Sequence, residues 1–559
     1  MGSEILKTCM KKGFLLDKEM LDLFSGLEES RGIEIIEVLG SAGINERVIT
    51  KKIFTKHLEK FKYFLKDSEK NEDINSLFES STLKQASEQT NQDEEENSNE
   101  LKTGKVKLIS APAFPQKKIV VKDFVNHFKY RYESIRSFLE KKDFDNLTSI
   151  RKIGPNRGSY TIIAMVSNKR ITKNKNIFLE VEDLTGNTLC LINQNKKELF
   201  EKARSILVDD IIAINVTGTN EMLFANDIFY PEATIEEKRY SDFDEYVAFT
   251  GDMHTGSKMF LEKNLLKFVK WLNGGEGDSE QREIARKVKY LFFTGDNIDG
   301  VGTYPGQDKD LAEKTSIGQY KKVEEILKLI RKDIQIIMCP GQHDAVWIGE
   351  PQPLIGELYA PGLHELKNLH LVPNPALVEI DGGFRILMYH GASINRFIDE
   401  IPEIRTKYGH MAPTMSVKEM VKRRHLAPMH GLVDYIPCEN EDPMVIKNIP
   451  DIISTGDQHR VEVANYNNIL LVAGSCWQAT TSFEEKVGNV PDPCKVPLFN
   501  LKTRQIKILD FSDDLTPVGD ESQNQTDKTG SKPLVQVPVQ TANSSNSTKT
   551  TENLQKKDE

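Results

Sequence analysis

The stretch IQIIMCPGQHDAVW (334–347) decides the fold. Ile334, Ile336, Ile337, Met338 and Cys339 make an apolar run of strand length that ends at a Pro-Gly pair. A run with apolar residues on both sides of the pleat reads as a strand buried on both faces, as in the middle of an α/β sheet. The chain breaks at Pro340-Gly341 and then presents Gln342, His343 and Asp344. In open α/β sheets the chemistry gathers at such strand ends.

Four further segments share this build. VAFTGDMHTGS (247–257) carries Asp252 and His254, and YLFFTGDNIDGVG (290–302) carries Asp296 and Asp299. FRILMYHGASI (384–394) carries His390, and PDIISTGDQHRVEV (450–463) carries Asp457 and His459. Helical stretches such as FLEKNLLKFVKWL (260–272) and GQYKKVEEILKLIRK (318–332) lie between them. Strand, polar turn and helix in repetition predict a layered α/β domain with its site at the strand ends. One histidine after a strand is ordinarily a hydrogen-bonded structural residue. Five strand ends, each with Asp or His beside Gly, form a joint signal. Carboxylate and imidazole mixtures suit Mn, Fe or Zn, and a bridging aspartate suits two ions about 3.5–4 Å apart. The glycines let the backbone approach ions and a substrate phosphate.

Outward from this domain, 241–511, the composition divides the chain. Residues 1–65 are rich in Leu, Ile, Phe and Lys, and the spacing of Leu16, Met20 and Leu23 predicts a small helical domain. Residues 66–105 are polar and acidic, as is expected of a disordered linker, and 512–559 read as a disordered tail. In 106–240, KDFVNHFKYRYESIRSFLEKK (122–142) predicts a helix. Its stripe of Phe124, Phe128, Tyr132, Ile135, Phe138 and Leu139 is expected to pack on the next domain. Lys129, Arg131, Arg136, Lys141 and Lys142 lie largely off the stripe and are candidates to face phosphates. The runs 160–172, 176–186, 187–193 and 209–219 are β-rich, with the helix-like NKKELFEKARSIL (195–207) after the third. About five strands in that order predict an OB-fold barrel, read here chiefly as a packing module and secondarily as a DNA contact.

The 559 residues allow two to four domains. A net charge of −10 does not advertise a nucleic-acid binder in bulk, so any phosphate-binding face is local. Six scattered cysteines without a C-x-x-C pair fit a reduced intracellular protein with no structural zinc. With no signal-peptide pattern and no apolar run near 18 residues, a soluble, cytoplasmic protein away from membranes is expected.

In order, the five segments resemble the calcineurin-like metallophosphoesterase signature D-x-H, G-D, G-N-H-D, H-G and G-H-x-H. The match narrows with D-x-H-x-G-S, G-D-x-x-D-G-V-G, P-G-x-H-D-A-V followed by PQP (351–353), Y-H-G and G-x-x-H-R-V-E. Together these resemble the small subunit of the archaeal D-family DNA polymerase over roughly 110–510, and loosely over 1–65. The implied architecture is α/β: a layered β-sandwich metallophosphoesterase domain preceded by an OB-fold β-barrel and a small all-α N-terminal domain. The implied activity is a metal-dependent 3′–5′ exonuclease that proofreads the single-stranded 3′ end of DNA for a separate large catalytic subunit. A sliding clamp or a primase are further partners such a complex implies.

The resemblance also implies a ligand set. Asp252, His254 and His459 hold a first divalent ion, Asp296 bridges, and His390 holds a second with Gln342 and Asp457. His343 is the acid for the leaving 3′ oxygen, oriented by Asp344. Gln342 and Asp457 depart from the family pattern, which has Asn and His there. Gln keeps a carbonyl oxygen and Asp is a hard ligand, so the two ions are expected to be Mn or Mg before Fe or Zn. Two readings compete with the exonuclease: a non-catalytic scaffold with a decayed second ion site, and a stand-alone nucleotide phosphoesterase. The barrel, linker and N-terminal domain weigh against the latter.

Overall fold

The computed structural model describes residues 104–513 except 116–117 and 439–440, with short pieces at 7–9, 11, 15–16, 48–49, 515, 517 and 540–541. The chain divides after Glu100 into two compact units. In the first, Leu15–Leu16 pairs in parallel with Val48–Ile49, inside a span read from sequence as all-helical. A pairing two residues long leaves no periodicity in the sequence. Apart from 7–9 and 11, which are helical, the rest of 1–65 and nearly all of 66–105 lie outside the described residues.

The second unit begins with strand β1 (Val106–Ser110) and helix α1 (Val121–Leu139). Strands β2 (Gly158–Ile171), β3 (Ile177–Asp183), β4 (Gly186–Ile192), β5 (Ile211–Gly218) and β6 (Leu223–Phe229) then close a barrel in the order β2-β3-β4-β6-β5. Helix α2 (Lys197–Arg204) follows its third strand. Ile162, Ala164, Leu179, Val181, Ile212 and Ile214 fill the barrel, so its interior is packed core.

The remaining strands build two stacked sheets. The first runs β10-β9-β8-β7-β16-β17, from β7 (Tyr246–Thr250), β8 (Val288–Thr294), β9 (Gln335–Cys339), β10 (Leu369–Leu371), β16 (Lys495–Asn500) and β17 (Ile506–Asp510). Its middle is parallel, with Leu291 opposite both Ala248 and Ile336. The second contains β11 (Ala376–Ile380), β12 (Phe384–Met388), β13 (Ile452–Thr455), β14 (Glu462–Tyr466) and β15 (Ile469–Ala473). Its order is β18-β14-β15-β13-β12-β11-β1, where β18 is Gln540–Thr541. Thus β1, placed by sequence with the helix and barrel, belongs to the two-sheet body. It pairs antiparallel with β11, a long-range contact that no local pattern announces.

Successive side chains on a strand point to opposite faces, so each apolar run fills two cores. Val247, Phe249, Tyr290, Phe292 and Ile337 meet Ile386, Met388 and Ile452 between the sheets. Ala248, Leu291, Phe293, Ile336 and Met338 pack outward on α3 (Glu262–Leu272) and α4 (Ser316–Lys328). Behind the second sheet, Leu387, Ile453 and Leu471 pack on α5 (Ile394–Glu400) and α6 (Pro413–Arg423). The result is four layers: helix, sheet, sheet, helix. Each large buried side chain contributes about 1.5–3 kcal/mol, so the ends of these strands are firmly placed.

Helix α1 is clamped to this body by charge as well as by its aromatic stripe. Tyr132, Ile135 and Leu139 join Ile163, Ile211 and Val445, while Phe124 and Phe128 pack edge-on against Tyr435. Arg131, expected off the stripe as a candidate for phosphates, is buried instead. Its Nε donates to Asp442 Oδ2 at 2.6 Å and its Nη1 to Pro428 O at 2.6 Å, with His425 Nε2 2.9 Å from the same carboxylate oxygen. Burial opposes the charge on Asp442, yet Arg131 and His425 hold its carboxyl well below the usual range. Removing one partner of such a buried pair costs about 3–5 kcal/mol. Among the described residues no helix is long and apolar enough to cross a membrane.

Candidate metal centre

The ends of β7, β8, β9, β12 and β13 converge at one edge of the stacked sheets, and their turns are unusually tight. Asp252 (φ 46°), His254 (φ 48°), Asp296 (φ 44°), Asp457 (φ 67°) and His459 (φ 53°) all take left-handed backbone conformations. Small residues make the convergence possible. A Cβ on Gly295 would fall 2.1 Å from His390 Nδ1, and one on Gly341 2.2 Å from Asp296 Oδ1.

Three imidazoles share one arrangement. His254 Nδ1 lies 3.2 Å from Asp299 Oδ1, His459 Nδ1 2.7 Å from Glu484 Oε1, and His390 Nδ1 3.1 Å from the Thr294 carbonyl. An imidazole tied by an Nδ1 hydrogen to an oxygen offers the lone pair of Nε2, the usual outer-shell device of metal-ligating histidines. The Nε2 atoms of His254 and His459 stand 3.0 Å apart, and Asp252 Oδ1 is 3.7 Å from that of His459. Asp296 Oδ2 sits between two imidazoles, 3.3 Å from His390 Nε2 and 3.8 Å from His254 Nε2. Asp457 Oδ1 lies 3.9 Å from His390 Nε2. Ligand atoms of Asp252, His254 and His459, and of Asp252, Asp296 and His390, each fall within 4.8 Å of one another.

The donor set fits divalent ions. Asp252 Oδ2 and His390 Nε2 are buried without a hydrogen-bond partner. Orphaned groups of this kind cost about 1–3 kcal/mol each unless a ligand satisfies them. Burial pushes Asp252 up to about 7. Burial also penalises charged Asp296, but His390 and His343 outweigh it and hold that carboxyl well below the usual range. His390 is raised well above the imidazole range against the effect of burial, chiefly by Asp296. The centre is therefore a set of mutually compensating charges.

Asp457 is fitted to its place as a carboxylate. Gln458 Nε2 donates to its Oδ2 at 2.7 Å and Asn395 Nδ2 at 3.3 Å, which leaves Oδ1 on the His390 side. Its backbone N–H donates to Asp252 Oδ1 at 3.0 Å. Gln342, half-buried, lies between Gly341, beside Asp296, and His343, whose N–H donates to Asp296 Oδ1 at 2.9 Å.

His343 stands at the rim, its ring 4.8 Å from that of His254. The expectation that Asp344 orients it gives way to a different partner: His343 Nδ1 lies 2.7 Å from the Asp299 carbonyl oxygen. Asp344 is instead the fastener of its own turn. Its Oδ2 accepts from Gly341 N–H (2.8 Å) and Asn297 N–H (3.1 Å), and its Oδ1 from Tyr320 O–H (2.8 Å). The carboxylate points into the core because only there do these donors await it. Burial opposes the charge on His343, and Asp296 outweighs it, so the imidazole is raised above its ordinary value.

Two residues of the centre carried no assignment in the sequence reading. Asp299 was visible in the second segment, but its part in holding His254 depends on the fold. Glu484 is the third residue of α7 (Ser482–Val487), where it closes a capping box with Thr481. The T-x-x-E pattern signals that cap, and its other oxygen is the one that reaches His459.

A family model for the B-subunits of DNA polymerases alpha and epsilon matches residues 247–463. The DNA polymerase II small subunit of Methanothermobacter thermautotrophicus is 35% identical over 391 residues, covering 70% of this chain and 79% of that protein. That of Archaeoglobus fulgidus is 36% identical over 382 residues, 68% of this chain and 75% of its own. A solved structure of a novel archaeal phosphodiesterase aligns with 47% of this chain and 98% of its own at 13% identity and a TM-score of 0.24, too slight a likeness to bear on the site. The extent and identity of the polymerase matches are decisive: the chain belongs to the family of archaeal D-family DNA polymerase small subunits, named DNA polymerase II small subunit in these relatives.

Proposed function

We propose that this subunit is a 3′–5′ exonuclease, hydrolysing the terminal phosphodiester of single-stranded DNA for a large subunit that carries out synthesis. The observation that carries the reading is the common fastening of His254, His390 and His459, each held at Nδ1 with Nε2 turned towards Asp252, Asp296 or Asp457. Asp252, His254 and His459 would hold one divalent ion, His390, Asp457 and Gln342 a second, and Asp296 both. When bound, such a pair supplies an activated water and neutralises charge on the phosphoryl group. Three carboxylates and an amide carbonyl in the set favour Mn or Mg over Zn or Fe.

The protein's own part is orientation and proton supply. His343, fixed by the Asp299 carbonyl and raised by Asp296, keeps a proton on the rim and gives it to the departing 3′ oxygen. Asp344 contributes by holding the Gly341–Asp344 turn, and with it the place of His343. The five-stranded barrel, read as an OB-type module, and the two-sheet body present the surface for the large subunit. Residues 66–105 tether 1–65, and neither a clamp nor a primase is required for the chemistry.

The test is cleavage of 3′-labelled single-stranded DNA by purified protein, alone and with its large subunit, in Mn, Mg or EDTA. Metal-dependent release of mononucleotides from the 3′ end is the expected result. Absence of cleavage with every metal, in both preparations, leaves the scaffold reading.

A further inference from the structure

Two half-exposed aromatic side chains lie on the loop that carries His343 and on the loop that touches it. Trp347 lies four residues beyond His343 on the same loop and is 40% exposed. Four residues span at most about 14 Å, so the Cα of Trp347 stands within that reach of the Cα of His343. Tyr304, 41% exposed, lies four residues beyond Gly300, where an added Cβ would fall 2.4 Å from the His343 carbonyl oxygen.

Trp347 is held with care for a residue so open to solvent. Its Nε1 donates to Pro351 O at 2.7 Å, and Phe114 meets its ring edge-on at 5.4 Å. Buried Gln352 donates from Nε2 to both Trp347 O (3.3 Å) and Gly341 O (3.2 Å), coupling the loop to the turn that carries His343. Tyr304 is fixed likewise, its hydroxyl donating to Asp310 Oδ2 at 3.0 Å. A ring whose polar edge is satisfied and whose position is set by packing has already lost its rotamer freedom. It is a ready platform for a flat apolar partner.

We infer that Trp347, with Tyr304 on the neighbouring loop, forms a stacking subsite for the nucleobases at the 3′ end of single-stranded DNA. The subsite rests on the exonuclease reading for its substrate class, but its recognition is separate from catalysis. Stacking is sequence-tolerant, because every base has a π face. This suits an enzyme that must accept any terminal nucleotide. It would also set the strand beside His343 without a basic surface, which a chain of net charge −10 does not offer in bulk.

The protein provides its own reporter. Of its three tryptophans, Trp271 and Trp477 are buried, 2% and 1% exposed, so a ligand at the loop reaches Trp347 alone. The full chain is titrated with oligo-dT in EDTA, so that no turnover intervenes, following both tryptophan emission and the anisotropy of a 5′-labelled strand. Quenching by oligo-dT, with little quenching by a strand whose 3′-terminal residues are abasic, is expected. Trp347→Ala should weaken binding about tenfold or more, and Trp347→Phe should restore it while abolishing the quench. Circular dichroism of each variant checks the fold. Unchanged emission at saturating DNA, equal quenching by the abasic strand, undiminished affinity in Trp347→Ala, or no binding at all would each overturn the subsite. Because no metal is present, these outcomes stand whether or not the protein proves to hydrolyse DNA.

Discussion

Replacing Gln458 by Ala should weaken one of two ion sites and spare the other. Gln458 is 1% exposed and makes the shorter of the two hydrogen bonds that fix Asp457, at 2.7 Å against 3.3 Å from exposed Asn395. Without it, the carboxylate is free to turn, and the oxygen aimed towards His390 is no longer singled out. Two routes give the size of the effect. Loss of an outer-shell partner lowers metal affinity about 10–100-fold, or about 1.4–2.8 kcal/mol. A hydrogen bond to a charged group contributes about 1.5–3 kcal/mol. The ranges overlap, so a loss of at least tenfold is expected for Gln458→Ala. Asn395→Ala should lose less, since water replaces an exposed donor. The assay is calorimetric titration of Mn into EDTA-treated protein. Wild type should show two sites, and Gln458→Ala should retain the one built from Asp252, His254 and His459. Equal weakening of both sites, or affinity within twofold of wild type, would refute the reasoning.

Asp296→Ala should abolish hydrolysis and reduce bound metal, as measured by cleavage and elemental analysis, because its Oδ2 faces both imidazole groups. His343→Ala should lose turnover at unchanged metal content; a parallel fall in occupancy would make His343 a ligand. Wild type should prefer Mn or Mg to Zn or Ni, and Gln342→Asn with Asp457→His should reverse that order in a cleavage assay. Asp457→His alone should bind metal more poorly than the pair, because residues 342 and 457 serve one ion and a single change misfits it. Deleting 1–104 should leave co-purification with the large subunit intact, and loss of the complex would place the main interface in the N-terminal unit.

Much of the centre was legible because its strands are buried on both faces. Runs such as YLFFT and QIIMC are continuous in apolar character, so their ends stand out against the Asp, His and Gly that follow. What escaped was whatever depends on distant partners. Nothing local tells Asp344 that Tyr320 and Asn297 lie behind it while the Asp299 carbonyl lies beside His343. Glu484 is 25 residues from His459, and its capping pattern announces a helix start without naming the histidine. Arg131 reads as a surface cation until Asp442, 311 positions away, is folded against it. The strand Leu223–Phe229 went unremarked because LFANDIF mixes polar residues into its alternation, the exposed positions of an outer barrel face.

Backbone strain bears on whether the departures from the family pattern are losses. A non-glycine residue in the left-handed region costs about 1–3 kcal/mol and persists only where its surroundings over-determine it. Asp252, His254, Asp296 and His459 carry that cost, and so does Asp457. The turn after β13 thus keeps the conformation that delivers a side chain to His390, although the side chain is no longer an imidazole. Its surroundings suit a carboxylate: two amide donors meet one carboxylate oxygen, where an imidazole could accept from one donor at most. A site out of use has no cause to keep a strained turn or donors matched to its ligand. Gln342 stands where its main chain flanks Asp296 on both sides, through the close approach of Gly341 and the N–H of His343. Its carbonyl is the same donor as that of Asn, one methylene further out. On the proposed two-ion reading, both departures fit a second site built with more oxygen ligands rather than an abandoned one.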